Sequence, residues 1–239
     1  MRAGDGVFET LRMVDGVPFA LTRHLERMAA SSAALGLPTV TVDEVRDQVL
    51  RELAVDGGEV AGAARLRLLW SGAGLQVAHS PLPPGGGAMR VRTSSWRRNR
   101  AAGTAGHKST DYVDNLVALR EAVTAGADEV LLADTAGMLS EGSATNVFYV
   151  VGGELRTPSL ATGCLPGITR GLVLEWTGAR EVEEPLDVLG EAEEVFLTSS
   201  TREVEGVAWC DAWAYAAPGP VTADVIRTFA ARRDAHPDP

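Results

Sequence analysis

Residues 6–12, GVFETLR, alternate in polarity and are rich in β-formers. Asp15-Gly16 behind them is a tight-turn pair that folds the strand back onto VPFAL, which commits the chain to a β-hairpin near its start. A hairpin with one apolar face needs helices or further strands to cover it. The next residues supply both. Thr22 reads as the N-cap of a helix over RHLERMAASSAALGL, in which Leu25, Met28, Ala29 and Leu35 share a face and Gly36 and Pro38 mark the end. Thr41 caps a second helix, from Val42 to about residue 54. Strands are expected over 63–70, 74–79 and 89–95, so the N-terminal part is read as an α+β unit.

Residues 97–107 turn to arginine, asparagine, glycine and alanine, the composition of a linker. The chain is therefore expected to divide into a small N-terminal domain (1–98), a linker (99–107) and a C-terminal domain (108–239). In the second domain a helix is expected at 111–125, strands at 129–133 and 145–151, a short GGEL hairpin, and a helix opening at PGITRGLVLEW. Strands near 180–183, 194–199 and 203–208 and a helix over 221–232 follow, and the tail RRDAHPDP is read as frayed.

Composition narrows the function classes. A net charge of −10 repels nucleic acid, so the basic cluster WRRNR at 96–100 suits a small anionic ligand or a solvated loop. Two cysteines without CxxC spacing and four scattered histidines offer no metal site. No apolar run reaches the ~18 residues of a membrane span, and the first residues lack the pattern of a leader, so a cytoplasmic protein is expected.

Lys108, in AGTAGHKSTDY, is the one lysine among 22 basic residues. Arginine keeps its proton at any biological pH, whereas a lysine amine can lose it and attack a carbonyl carbon. Three later motifs carry matching chemistry. Glu141, in the turn-rich LSEGSATN, is a carboxylate able to hold a protonated ring nitrogen, or an exposed turn residue. LPGITRG at 165–171 opens a helix at which the amides of Ile168 and Thr169 face outward, a seat for phosphate. TSSTRE at 198–203 ends a strand in hydroxyl donors.

With GDGVFETLR, HLERM, HK, GADEVLLAD, SEGSATNVF, LPGITR and EVFLTSS in this order over residues 4–210, the chain resembles the class IV, fold-type IV pyridoxal-phosphate enzymes. That family includes branched-chain and D-amino-acid aminotransferases and 4-amino-4-deoxychorismate lyase. The resemblance implies an α+β, D-amino-acid aminotransferase-like fold with a small N-terminal α/β domain and a larger β-rich C-terminal domain. It also implies a homodimer with pyridoxal 5'-phosphate in the cleft between the domains. Relatives carry a strand before the GDG motif, so either the start codon is assigned too late or the domain tolerates an exposed edge on its first strand.

Carried over, the resemblance makes Lys108 the Schiff-base lysine, Glu141 the partner of the ring nitrogen and Arg27 a phosphate ligand. Tyr112 would reach the phenolic oxygen, and Ile168, Thr169, Ser199 and Ser200 would complete the phosphate cup. Phe8, Thr10 and Arg12 alternate on one strand face and resemble the lyase pattern, with Thr10 relaying a proton. Arg12, Arg97 and Arg100 would receive the two carboxylates of aminodeoxychorismate. The expected activity is thus aminodeoxychorismate lyase, releasing pyruvate and 4-aminobenzoate, with a class IV aminotransferase of D- or branched-chain amino acids as the alternative.

Overall fold

The computed structural model describes residues 4–55, 62–82, 85 and 87–239. The chain forms two compact units, one of Met1–Pro84, His107–Asp111 and Arg232–Pro239, the other of Gly85–Gly106 and Tyr112–Ala231. The α+β, two-domain fold class read from the sequence is the one observed.

In the first unit, Gly6–Val14 (β1), Val17–Pro18 (β2), Ala63–Ser71 (β3) and Gly74–Pro81 (β4) form an antiparallel sheet of order β2-β1-β3-β4. Leu21–Ala34 (α1) and Val42–Val55 (α2) cover one face of it. Val7, Leu11 and Met13 of β1 meet Leu25 and Met28 of α1, Val45 and Val49 of α2, and Leu66 and Leu68 of β3 in one core. Removing such a buried leucine costs roughly 2–5 kcal/mol.

Three local readings change here. Thr22 is not the N-cap: α1 starts at Leu21 behind Ala20, whose left-handed φ of 55° turns the chain into the helix. The tail is not frayed. Asp238 accepts from the Thr22 N–H (2.9 Å) and from its hydroxyl (2.5 Å), and Ala20 N–H donates to Pro237 O at 2.7 Å, so the tail supplies the cap that Ala20 lacks. The outer edge of β1 is also partnered: Phe8 N–H donates to Lys108 O (3.0 Å), Thr110 N–H donates to Gly6 O (2.9 Å), and Val7 bridges Ser109.

The second unit is a nine-stranded sheet that closes on itself. Met89–Arg98 (β5) runs parallel to Glu129–Asp134 (β6) and to Glu203–Cys210 (β12), which places the strand expected at 89–95 in this unit. Val113–Thr124 (α3) connects β5 to β6 and buries Ala118 and Ala122 against Val130 and Leu132. Leu139–Gly142 (β7) pairs with β6, then with Asn146–Val151 (β8), which pairs with Glu154–Pro158 (β9) and Glu194–Ser199 (β11). Arg180–Val182 (β10) and Trp213–Ala214 (β13) extend the sheet beside β9 and β12. Ile168–Thr177 (α4) packs on β11, and Pro220–Ala235 (α5) ends the chain's regular structure. The stretch LSEG, read as turn-rich, is therefore strand β7, buried throughout.

Among the described residues no helix is long and apolar enough to cross a membrane.

Candidate active site

In the first unit the two faces of β1 carry different chemistry. Phe8, Thr10 and Arg12 lie opposite Leu69, Arg67 and Arg65 of β3, so these six share the face turned away from the helical core. The Phe8 ring has the Lys108 Nζ 4.7 Å from its centroid and the Arg67 Cζ 4.3 Å from it. Lys108 is half-buried, presented by the short segment bonded to the edge of β1. Arg67 was not read from the sequence. The Thr10–Arg67 register that brings it here is a long-range pairing.

The other face of β1 holds an acid. Glu9 has no exposed surface, and its carboxylate takes a fork from Arg27, Nε at 2.9 Å and Nη2 at 2.6 Å, with His24 Nδ1 2.6 Å away. Burial alone would raise its pKa, but the charge of Arg27 and the contact with His24 more than offset this and hold it at about 2. His24 shifts down because it is buried and near Arg27 and Lys108, with Glu9 opposing. Arg27 is thus turned inward to Glu9, not outward as on a solvent-facing helix. A charge in register with Val7, Leu11 and Met13 was the available signal for Glu9, since such a group must find a partner.

In the second unit Glu141 points from β7 into a polar cluster and is 7% exposed. Its Oε1 lies 3.0 Å from Arg98 Nη2, and its Oε2 accepts from the Leu165 N–H at 3.0 Å. Asn146 holds that loop by donating to Leu165 O at 2.9 Å. Arg98 Nη1 donates to Asn115 Oδ1 (3.1 Å), and Asn115 donates in turn to Ser143 O (2.5 Å), as does the Tyr112 hydroxyl. The far side of Ser143 is tied to Glu129, whose other oxygen meets Arg202 Nη2 at 3.2 Å. Burial, then the charge of Glu141, pushes the Tyr112 phenol up, so it remains a donor.

α4 begins at Gly167, which offers no side chain to the first amides of the helix, those of Ile168 and Thr169. A Cβ on Gly167 would stand 2.0 Å from Asn146 Oδ1, so only glycine permits this approach. β11 ends in Thr198 and Ser199, and the Ser199 hydroxyl accepts from Arg202 N–H at 3.2 Å, curling the 199–202 turn that carries Ser200. Among the described residues, Thr198 Oγ1, Arg98 Nε and Arg98 Nη2 are buried with no hydrogen-bond partner, so Nη2 meets Glu141 as an ion pair and not as a hydrogen bond. Buried donors without acceptors, a helix N-terminus and a carboxylate in this unit are groups that a phosphorylated pyridine ring requires, and the first unit, taken by itself, offers the primary amine of Lys108. The residues fit that group.

Two expected residues do not join the cluster. Arg97 is exposed and donates to Ser94 O at 3.1 Å, while Arg100 pairs with Asp134 at 3.3 Å and Glu183 at 4.0 Å. Alternation along β5 explains Arg97, because neighbours face opposite ways and it is Arg98 that turns to Glu141, whereas Arg100 lies beyond the end of the strand. A groove of about 580 Å³ on this unit, lined by Arg92, Thr93, Trp209 and Asp211 among others, contains none of the residues named above.

The family model described as amino-transferase class IV matches residues 6–209. The chain is 35% identical to a putative branched-chain-amino-acid aminotransferase of Methanocaldococcus jannaschii over 84% of its length and 77% of the relative's. It is 31% identical to an aminodeoxychorismate lyase of Bacillus subtilis, over 84% of the chain and 76% of that protein. A fold IV transaminase from Curtobacterium pusillum superposes with a TM-score of 0.88 at 30% identity, covering 98% of this chain and 86% of that one.

Proposed function

We propose that this chain, which belongs to the class IV aminotransferase family of pyridoxal-phosphate-dependent enzymes, transfers the amino group of a small α-amino acid to a keto acid. Aliphatic amino acids of the branched-chain type are its first expected substrates. The cofactor, when bound, supplies an aldehyde for the amine and a ring that accepts the electrons released at the substrate carbon. The protein's part is to bind, orient and move protons. Lys108 carries the proton at its ε-amine, and Glu141 keeps the ring nitrogen protonated. Tyr112 is the residue assigned to the phenolic oxygen. Arg27, Ile168, Thr169, Ser199 and Ser200 hold the phosphate, Phe8 forms an apolar wall, and Arg12 and Arg67 take the substrate carboxylate.

The observation that carries amino transfer over lysis is the engagement of the basic pair. Of the linker arginines, Arg97 is exposed and donates to Ser94 O and Arg100 is engaged by Asp134 and Glu183, which leaves the Arg12 and Arg67 face beside Phe8 to receive a substrate's single carboxylate. The similarity to a branched-chain aminotransferase at 35% identity supports the same reading. Lysis is the second reading, favoured by Thr10 and Arg12 on the Phe8 face and by the likeness to a lyase. A homodimer and a small anionic substrate belong to both.

One side-by-side assay separates them. Keto acid formed from L-leucine and from D-alanine is measured against 4-aminobenzoate and pyruvate formed from aminodeoxychorismate. Sustained amino transfer without aromatic product is expected. Aromatic product without amino transfer would reverse the assignment.

A further inference from the structure

We propose that Arg98 is a positioning residue for the reaction, which keeps the Glu141 carboxylate ionised and aimed so that a ring nitrogen held against it retains its proton. This rests on the reading of Glu141 as the partner of that nitrogen. Three features of the structure support it.

The first is contact. Arg98 Nη2 lies 3.0 Å from Glu141 Oε1, and both side chains are largely buried, 19% and 9% exposed. A charge pair so little screened acts strongly on the basicity of the acid. The second is anchorage. Arg98 is held at its other end by Asn115, which is held by Ser143, which is held by Glu129, so the guanidinium has little freedom to follow the carboxylate elsewhere. The third is the neutrality of the two weak acids that feel the charge of Glu141. Tyr112 is pushed up by burial and by Glu141, and Cys164 is pushed up to about 11 by the same causes, so each stays uncharged near neutral pH.

The sign follows from basicity. A carboxylate in contact with a guanidinium is a weaker base than the same group facing neutral neighbours, so a proton shared with a ring nitrogen stays on the nitrogen. Without Arg98 the carboxylate becomes the better base in a buried setting, where a neutral acid beside a neutral ring costs less than two separated charges. The ring then draws electrons less strongly.

The full chain reconstituted with pyridoxal phosphate carrying ¹⁵N at the ring nitrogen tests this directly. The wild-type resonance is expected at the protonated position and that of Glu141→Gln at the unprotonated one. Arg98→Gln, which keeps an amide for Asn115 but removes the charge, is expected to move most of the way to the unprotonated position, with kcat reduced about tenfold or more. Arg98→Lys keeps the charge and is expected to retain the protonated resonance. An Arg98→Gln resonance at the wild-type position, or an Arg98→Lys resonance displaced as far as that of Arg98→Gln, would overturn the role of Arg98 and leave that of Glu141 standing. A Glu141→Gln resonance at the wild-type position would instead remove the reading beneath it.

Discussion

Glu9 shows how one buried charge can matter more than many exposed ones. Its carboxylate is held at about 2, against an ordinary 4.5, by Arg27 and His24 in spite of its burial. A lowered acid stabilises the fold above its ordinary value and loses that contribution as pH falls toward the folded value, here between 4.5 and about 2. Glu9→Gln leaves Arg27 buried without its counter-charge and is expected to cost about 3 kcal/mol at neutral pH. Urea unfolding should show this difference at pH 7 and a smaller one near pH 3. His24 acts earlier: its lowered value keeps it neutral in the fold, so stability begins to fall as pH drops below 6.5, where the unfolded histidine takes up a proton. Lys108→Ala is expected to keep the fold, because the Lys108 segment is bonded to β1 through backbone groups, and to lose the absorbance band of the lysine-linked cofactor. A band unchanged in that variant would remove Lys108 from its role.

At the scale of elements, α4 offers a paired test with two glycines in one helix region. A Cβ at Gly167 would collide with Asn146, which holds the loop whose Leu165 N–H reaches Glu141, whereas a Cβ at Gly171 meets nothing within 4 Å. Gly167→Ala is expected to weaken pyridoxal phosphate binding about tenfold by loosening that loop. Gly171→Ala is expected to leave binding unchanged and raise stability by about 0.5–1 kcal/mol, the ordinary helix gain. Cofactor titration and thermal unfolding of both variants check this together. α5 depends on a carboxylate from another element: Glu194 of β11 accepts from the N–H groups of Val221 and Thr222 and from the Thr222 hydroxyl. Glu194→Gln is expected to cost about 1–2 kcal/mol, read by denaturation.

At the scale of the whole molecule, the first unit is assembled from three separate stretches of chain. Removing residues 236–239 takes away the Asp238 cap and the Pro237 carbonyl at the start of α1, and is expected to cost about 1–2 kcal/mol and to speed amide exchange in that first turn. Unchanged exchange there would make the tail's bonds idle. The two helices and the long strands of this unit were legible from the 3.6- and 2-residue periods and from the Asp15-Gly16 turn, because hydrophobic pattern and turn chemistry are local properties. The motif chemistry was legible too: an amine at 108, a carboxylate at 141, a helix opening at 167 and hydroxyls from 198 onward are residue types in sequence order. Composition could not reveal which charges meet. That Arg98 rather than Arg97 turns to Glu141, that Glu9 neutralises Arg27, and that residues 108–110 complete the edge of β1 depend on partners brought together by folding. Sequence determined which groups are available and the elements that bear them. Tertiary structure decided their pairing, because a buried charge takes the partner that packing puts within about 3 Å, however far along the chain that partner lies.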